Sequence, residues 1–157
     1  MNLLIVDDEY LVVEEVVTVT DWELLGITEI YSATNAVSAV RILNEKKIDI
    51  MICDIEMPQT DGLELSKKAK ENFPDLEIVM LTSHAEFNYV RNALRYGCYD
   101  YLLKPVMEDD IIKVMKNLVT KIERERHQAQ LQEEGIVWNQ LKPVWKEKYW
   151  EEMLRGL

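Results

Sequence analysis

The chain is poor in the residues that staple, break or anchor a fold: two cysteines, five glycines, four prolines and two histidines among 157 residues. The two cysteines, Cys53 and Cys98, each sit in an apolar stretch with no metal-ligand spacing. A disulfide-built scaffold is excluded, and the plain reading is a reduced pair in the core of a cytoplasmic protein. Bases are scarce too, 18 Lys+Arg against 29 Asp+Glu for a net charge of −11. A surface that neutralises phosphates needs clustered Lys and Arg, so this stretch is not expected to grip DNA or RNA, nor to hold a membrane electrostatically. No apolar run is long enough to span a bilayer. The opening MNLLIVDDE has no basic segment and meets acids at Asp7 and Asp8, so it is not a signal peptide. Apolar residues, in contrast, make up 48%, enough for a packed core. The charge is uneven, about −10 over residues 1–106 and about −1 over 107–157, which marks an acidic unit followed by a near-neutral one dense in both signs.

Apolar runs alternate with helical periodicity. Short runs at 2–6, 29–33, 48–53, 77–81 and 99–103 predict five strands. Between them lie predicted helices at 11–19, after Asn35 as a cap, at 63–72 and at 85–96, followed by one at 108–122. Val37, Val40, Ile42 and Leu43 suit the inner face of the second helix. Phe87, Val90, Ala93 and Leu94 suit that of the fourth, with Gly97 as its stop. MPQTDG at 57–62 is a loop. Five βα units of this size imply parallel strands with right-handed crossovers. The expected fold is α/β, a doubly wound five-stranded parallel sheet of flavodoxin-like order 2-1-3-4-5 with a C-terminal helical extension.

On that scaffold Asp7 and Asp8 end the first strand, Asp54 the third, Thr82 the fourth and Lys104 the fifth. Ligands of such sheets sit beyond the carboxyl ends of the strands. Strands one and three are neighbours in the expected order, so the three carboxylates converge. At ~4 Å two ionised carboxylates repel by roughly 1 kcal/mol in water and about 4 kcal/mol at an effective dielectric near 20. Either one acid holds a proton or a cation sits among them. Carboxylates with room for water suit Mg²⁺. A hard cation, a Lys, a hydroxyl and an ionised carboxylate make a phosphoryl-transfer site, in which the carboxylate can itself be the acceptor.

LIVDDE with Asp7 and Asp8, ICDIEMPQTDGLEL with Asp54, VMLTSH with Thr82, and YDYLLKPV with Tyr101, Lys104 and Pro105 together resemble the receiver domain of two-component response regulators over residues 1–120. The resemblance implies that Asp54 is the phosphoacceptor, fed by a sensor histidine kinase. It implies Mg²⁺ held by Asp8 and Asp54, by Asp7 through a water, and by the Glu56 backbone carbonyl. Thr82 and Lys104 would hold the phosphoryl oxygens, Tyr101 would be the aromatic switch that follows Thr82, and Glu56 and His84 would tune the rate of dephosphorylation. The Lys104–Pro105 bond would be cis. The domain would not be an enzyme beyond its own phosphotransfer and dephosphorylation.

Residues 121–157 are expected to be a helical linker. TKIERERHQAQLQEE prolongs the preceding helix, Gly135 breaks it, and Pro143 opens a new helix through Arg155. Leu118, Ile122, Glu125, Ala129 and Gln132 have heptad-like spacing but few strong apolars. Trp138, Trp145 and Trp150 suit either a homodimer contact or a face left for another domain. The arrangement is similar to regulators with a C-terminal AraC-type DNA-binding region, which would begin after this stretch and alone would bind DNA. Two rivals stand beside this reading. A stand-alone receiver would act by protein contact. A phosphatase of the haloacid dehalogenase type would use a pair of aspartates two residues apart, where this chain has only Asp54 and Glu56.

Overall fold

A computed structural model of the chain describes residues 1–83 and 87–155, with side chains described over 1–83 and 91–135. Five parallel strands, β1 (Asn2–Val6), β2 (Glu29–Ala33), β3 (Ile50–Asp54), β4 (Glu77–Thr82) and β5 (Asp100–Leu103), form one sheet in the order β2-β1-β3-β4-β5. The helices are α1 (Tyr10–Thr18), α2 (Ala36–Glu45), α3 (Gly62–Asn72), α4 (Phe87–Arg95) and α5 (Glu108–Arg155), with one 3₁₀ turn at Glu23–Leu25. This is the expected doubly wound order. β1, β3 and β4 are buried or nearly so along their length, as strands covered on both faces must be.

Alternation along the strands divides the core. Leu4, Val6, Met51, Cys53, Ile78 and Met80 form one cluster with Ala39 and Leu43 of α2, Leu63 and Ala69 of α3, and Ala93 of α4. The alternate residues Leu3, Ile5, Ile50, Ile52, Val79 and Leu81 are fully buried on the other face, and Val13 and Val16 of α1 and Ile111, Met115 and Leu118 of α5 are buried outside the first cluster. Each large apolar side chain removed from water contributes about 1.5–3 kcal/mol, so the two-sided burial of β1, β3 and β4 is the main source of stability. Trp22 closes the α1–β2 connection: it is buried and its Nε1 donates to the Val16 carbonyl at 3.1 Å.

Three expectations are corrected. Val37 and Val40 face solvent, and the inner face of α2 is Ala39 and Leu43. The N-cap Asn35, whose side chain accepts from Ser38 N, sets the helical phase so that the small Ala39 meets the sheet. Leu94 is exposed while Ala93 is buried, so α4 also packs through its small residue. Phe87 and Val90 lie outside the described side chains. Finally, α5 is continuous across Gly135 and Pro143. A helix interior tolerates glycine at about 1 kcal/mol relative to Ala, and the flanking Gln, Glu, Leu and Lys are strong helix formers. Proline removes one donor and crowds one carbonyl but does not force a break.

The chain divides into two compact units, Met1–Val119 and Thr120–Leu157. The first carries the sheet and its helices. The described part of the second is helical, with exposed, mostly polar side chains from Glu123 through Glu134 and a local Lys121–Glu125 ion pair of 3.1 Å. The tryptophans Trp138, Trp145 and Trp150 lie outside the described side chains. No described helix is long and apolar enough to cross a membrane.

Candidate functional site

Strand register brings the polar residues together. Val6 pairs with Cys53, so the chain's next residues, Asp7 and Asp54, emerge side by side. Asp54 pairs with Leu81 and Thr82 with Leu103, so Thr82 and Lys104 follow one step further along the same edge. Backbone bonds continue the sheet past its last pairs: Asp7 N–H donates to the Ala33 carbonyl at 3.2 Å, Ile55 N–H to Leu81 at 2.9 Å, and Lys104 N–H to Thr82 at 2.8 Å. The Lys104–Pro105 bond is cis.

Asp7, Asp8 and Asp54 each place a carboxylate oxygen within 4.8 Å of the other two. Asp7 and Asp54 are buried, and Asp8 is the one that faces solvent. Lys104 Nζ lies 2.7 Å from Asp7 Oδ2 and 3.3 Å from Asp54 Oδ1. The first contact gives the buried Asp7 Oδ2 a charged partner in the Lys104 ammonium. Asp7 Oδ1 accepts from Glu9 N at 2.9 Å, and Asp54 Oδ1 from Glu56 N at 3.3 Å. Burial, and then the Asp7 carboxylate, push the Asp54 pKa up to about 6, against the opposing pull of Lys104. Burial works against the Lys104 ammonium, but its interactions with Asp7 and Asp54 outweigh that and raise its pKa.

Three carboxylates facing one ammonium leave the cluster negative. That excess fits a hard divalent cation, which prefers oxygen ligands and neutralises such a cluster. The cluster opens into a cavity of about 670 Å³ whose wall includes Glu9, Glu56, Asp61 and Ser83 besides Asp8, Asp54 and Lys104.

Thr82 is 1% exposed, and the cavity wall at that point is Ser83. By register Thr82 shares a sheet face with Tyr101, the partner of Met80, and Tyr101 is partly buried against the cluster that contains Met80. Glu56 stands at the cavity wall, and His84 lies outside the described residues. Sequence reasoning passed over Asp61, Gly62 and Ser83. Asp61 caps α3 by accepting from Leu63 N at 2.9 Å and pairs with Glu56 in an antiparallel bridge. The Asp-Gly step inside MPQTDG was the available signal.

The family model for the response regulator receiver domain matches residues 3–116. The chain is 34% identical over 124 residues to the uncharacterized transcriptional regulatory protein YesN of Bacillus subtilis, an alignment covering 79% of this chain and 34% of YesN. It is 32% identical over 127 residues to the response regulator SaeR of Staphylococcus aureus, covering 81% of this chain and 54% of SaeR. Among solved structures, the REC domain of AraT, a response regulator from Geobacillus stearothermophilus, superposes with a TM-score of 0.74 at 30% identity, covering 80% of this chain and 97% of that one. The chain thus spans about a third to just over half of the length of these curated relatives. The matched family, the parallel sheet in the order β2-β1-β3-β4-β5 and the acidic cluster at its carboxyl edge agree with one another, and the chain belongs to the response regulator receiver domain family.

Proposed function

We propose that residues 1–120 are the phosphoacceptor receiver of a two-component response regulator, with Asp54 taking a phosphoryl group from a sensor histidine kinase. The observation that carries this is the meeting of Asp7, Asp8 and Asp54 within 4.8 Å beside Lys104, at the mouth of an open cavity.

An Asp54 carboxylate oxygen attacks phosphorus. The phosphorus–nitrogen bond to the donor imidazole breaks, the electron pair leaves with the imidazole, which takes up a proton, and an acyl phosphate forms on Asp54. The acceptor needs no base because a carboxylate is already ionised above its pKa of about 6. The side chains of Asp8 and Asp54 and the Glu56 backbone carbonyl, with Asp7 through a water, would hold Mg²⁺. When bound it offsets the repulsion among the carboxylates and the charge on the phosphoryl oxygens. Lys104 is already paired to Asp7 and Asp54 and would also pair with a phosphoryl oxygen.

The modification adds a charge of roughly −1.5 to −2. Thr82 would turn toward the new oxygens, Tyr101 on the same sheet face would follow, and the α4, β5 and α5 surface would shift between two states. Glu56 and His84 would set how long the phosphoryl group lasts. In this reading the domain does no chemistry on other molecules, and residues 121–157 link it to an output region of the AraC type that controls transcription.

The direct test is incubation with acetyl phosphate and Mg²⁺, read by intact-protein mass. One phosphoryl adduct is expected on the wild type and none on Asp54→Asn. An undiminished adduct on the variant would overturn the assignment of Asp54.

A further inference from the structure

Gly62 is the first residue of α3 and is buried. Its φ lies outside the left-handed region, so the position does not demand glycine for its backbone angles. It demands glycine for space. A Cβ there would fall onto the Asp54 carbonyl oxygen, well inside contact distance, with the Asp54 carbonyl carbon at 2.9 Å and Ile55 Cα at 3.0 Å. All three atoms are backbone, so no side chain can swing away.

The same spot is bonded as well as packed. Gly62 N–H donates to the Ile55 carbonyl at 2.9 Å. Glu56 and Asp61 form an antiparallel bridge, and the Asp61 carboxylate accepts from Leu63 N at 2.9 Å. The β3–α3 loop is thereby closed on itself, and the start of α3 is pressed onto the peptide that follows Asp54. Asp54 Oδ1 accepts from Glu56 N at 3.3 Å, so the carboxylate is oriented by the very loop that Gly62 closes.

We propose that Gly62 is a positioning residue for the phosphoacceptor: its bare backbone lets α3 seat against the Asp54–Ile55 peptide and so fixes the Asp54 carboxylate and the Glu56 carbonyl against Asp7 and Asp8. It touches neither phosphoryl group nor cation and acts through Asp54. Positions in such a site matter to within about 0.5 Å. A methyl group that moves the Asp54 peptide by more than that separates the ligands without emptying the core.

This inference rests on the reading of Asp54 as acceptor, and the test separates the two. Full-length wild type and Gly62→Ala are titrated with Mg²⁺ by calorimetry and phosphorylated with acetyl phosphate, with circular dichroism and thermal melting as the record of folding. The expected result is a folded Gly62→Ala protein whose Mg²⁺ affinity and initial phosphorylation rate both fall at least tenfold. A folded variant within twofold of wild type in both would overturn the proposal. Wild type that takes neither cation nor phosphoryl group would overturn the function and this inference with it.

Gly62→Ala could instead fail to fold, and two variants of the clamp that add no volume then decide. Asp61→Asn keeps a side chain able to cap α3, and Asp61→Ala removes it. A severalfold lower Mg²⁺ affinity in Asp61→Ala than in Asp61→Asn supports positioning by the clamp. Equal affinities in the two would overturn it.

Discussion

Asp54 joins three opposed influences on one carboxyl group: burial, the Asp7 carboxylate and the Lys104 ammonium. Burial and Asp7 win, and the pKa stands near 6 instead of its ordinary 3.8. The folded protein therefore binds a proton here that the unfolded chain has released. Between pH 3.8 and about 6, this group's contribution to stability is present at the low end and is lost as pH rises through the folded pKa. In EDTA, the Asp54 carboxyl carbon followed by NMR should titrate near pH 6, and Mg²⁺ should move the midpoint down because a cation favours the ionised form. The cysteines show burial with little to oppose it. Cys98 is 6% exposed, and burial lifts its thiol to about 11 despite Lys70 nearby. Cys53 is fully buried and raised further. At pH 8 neither should react with a disulfide reagent until denaturant is added, whereupon two thiols per chain should appear.

Elements begin and end where local chemistry tells them to, and the functional edge depends on it. Asn35 accepts from Ser38 N and starts α2, and Asp61 accepts from Leu63 N and starts α3. Asn35→Ala should lower the unfolding free energy by about 0.5–2 kcal/mol in a urea titration, with phosphorylation by acetyl phosphate retained. Asn35 was legible as a cap because it precedes an apolar-periodic stretch. Which face of α2 turns inward was not legible, because Val37 and Val40 have the hydrophobicity of core residues and lose that place to the smaller Ala39. A helix lying on a sheet needs close approach, and alanine permits it where a β-branched residue would hold the helix off. The continuity of α5 through Gly135 and Pro143 shows the same limit: single breakers are weighed against a long run of helix formers.

For the whole molecule, the net charge of −11 is concentrated in the unit that carries the sheet, and three of its acids meet at one point. A ligand that binds only the folded pocket stabilises the fold by mass action, about 2.7 kcal/mol at a hundred times its dissociation constant. Mg²⁺ should accordingly raise the melting temperature of the wild type, and Asp8→Ala should abolish the rise. An equal gain in that variant would place the cation elsewhere. The order of strands, and the placing of Asp7, Asp8, Asp54, Thr82 and Lys104 at one edge, were determined by the sequence itself. Strand-ending acids after apolar runs, and helices too long for hairpins, admit few other topologies. Three matters were decided only in the tertiary structure. The first is that Lys104 contacts both Asp7 and Asp54, and the second is that Ser83 and not Thr82 forms the cavity wall. The third is that Gly62 lies against the Asp54 carbonyl. Each is a distance between residues far apart or folded back in the chain, and such distances are set by register, side-chain packing and loop closure, none of which has a period that sequence spacing can display.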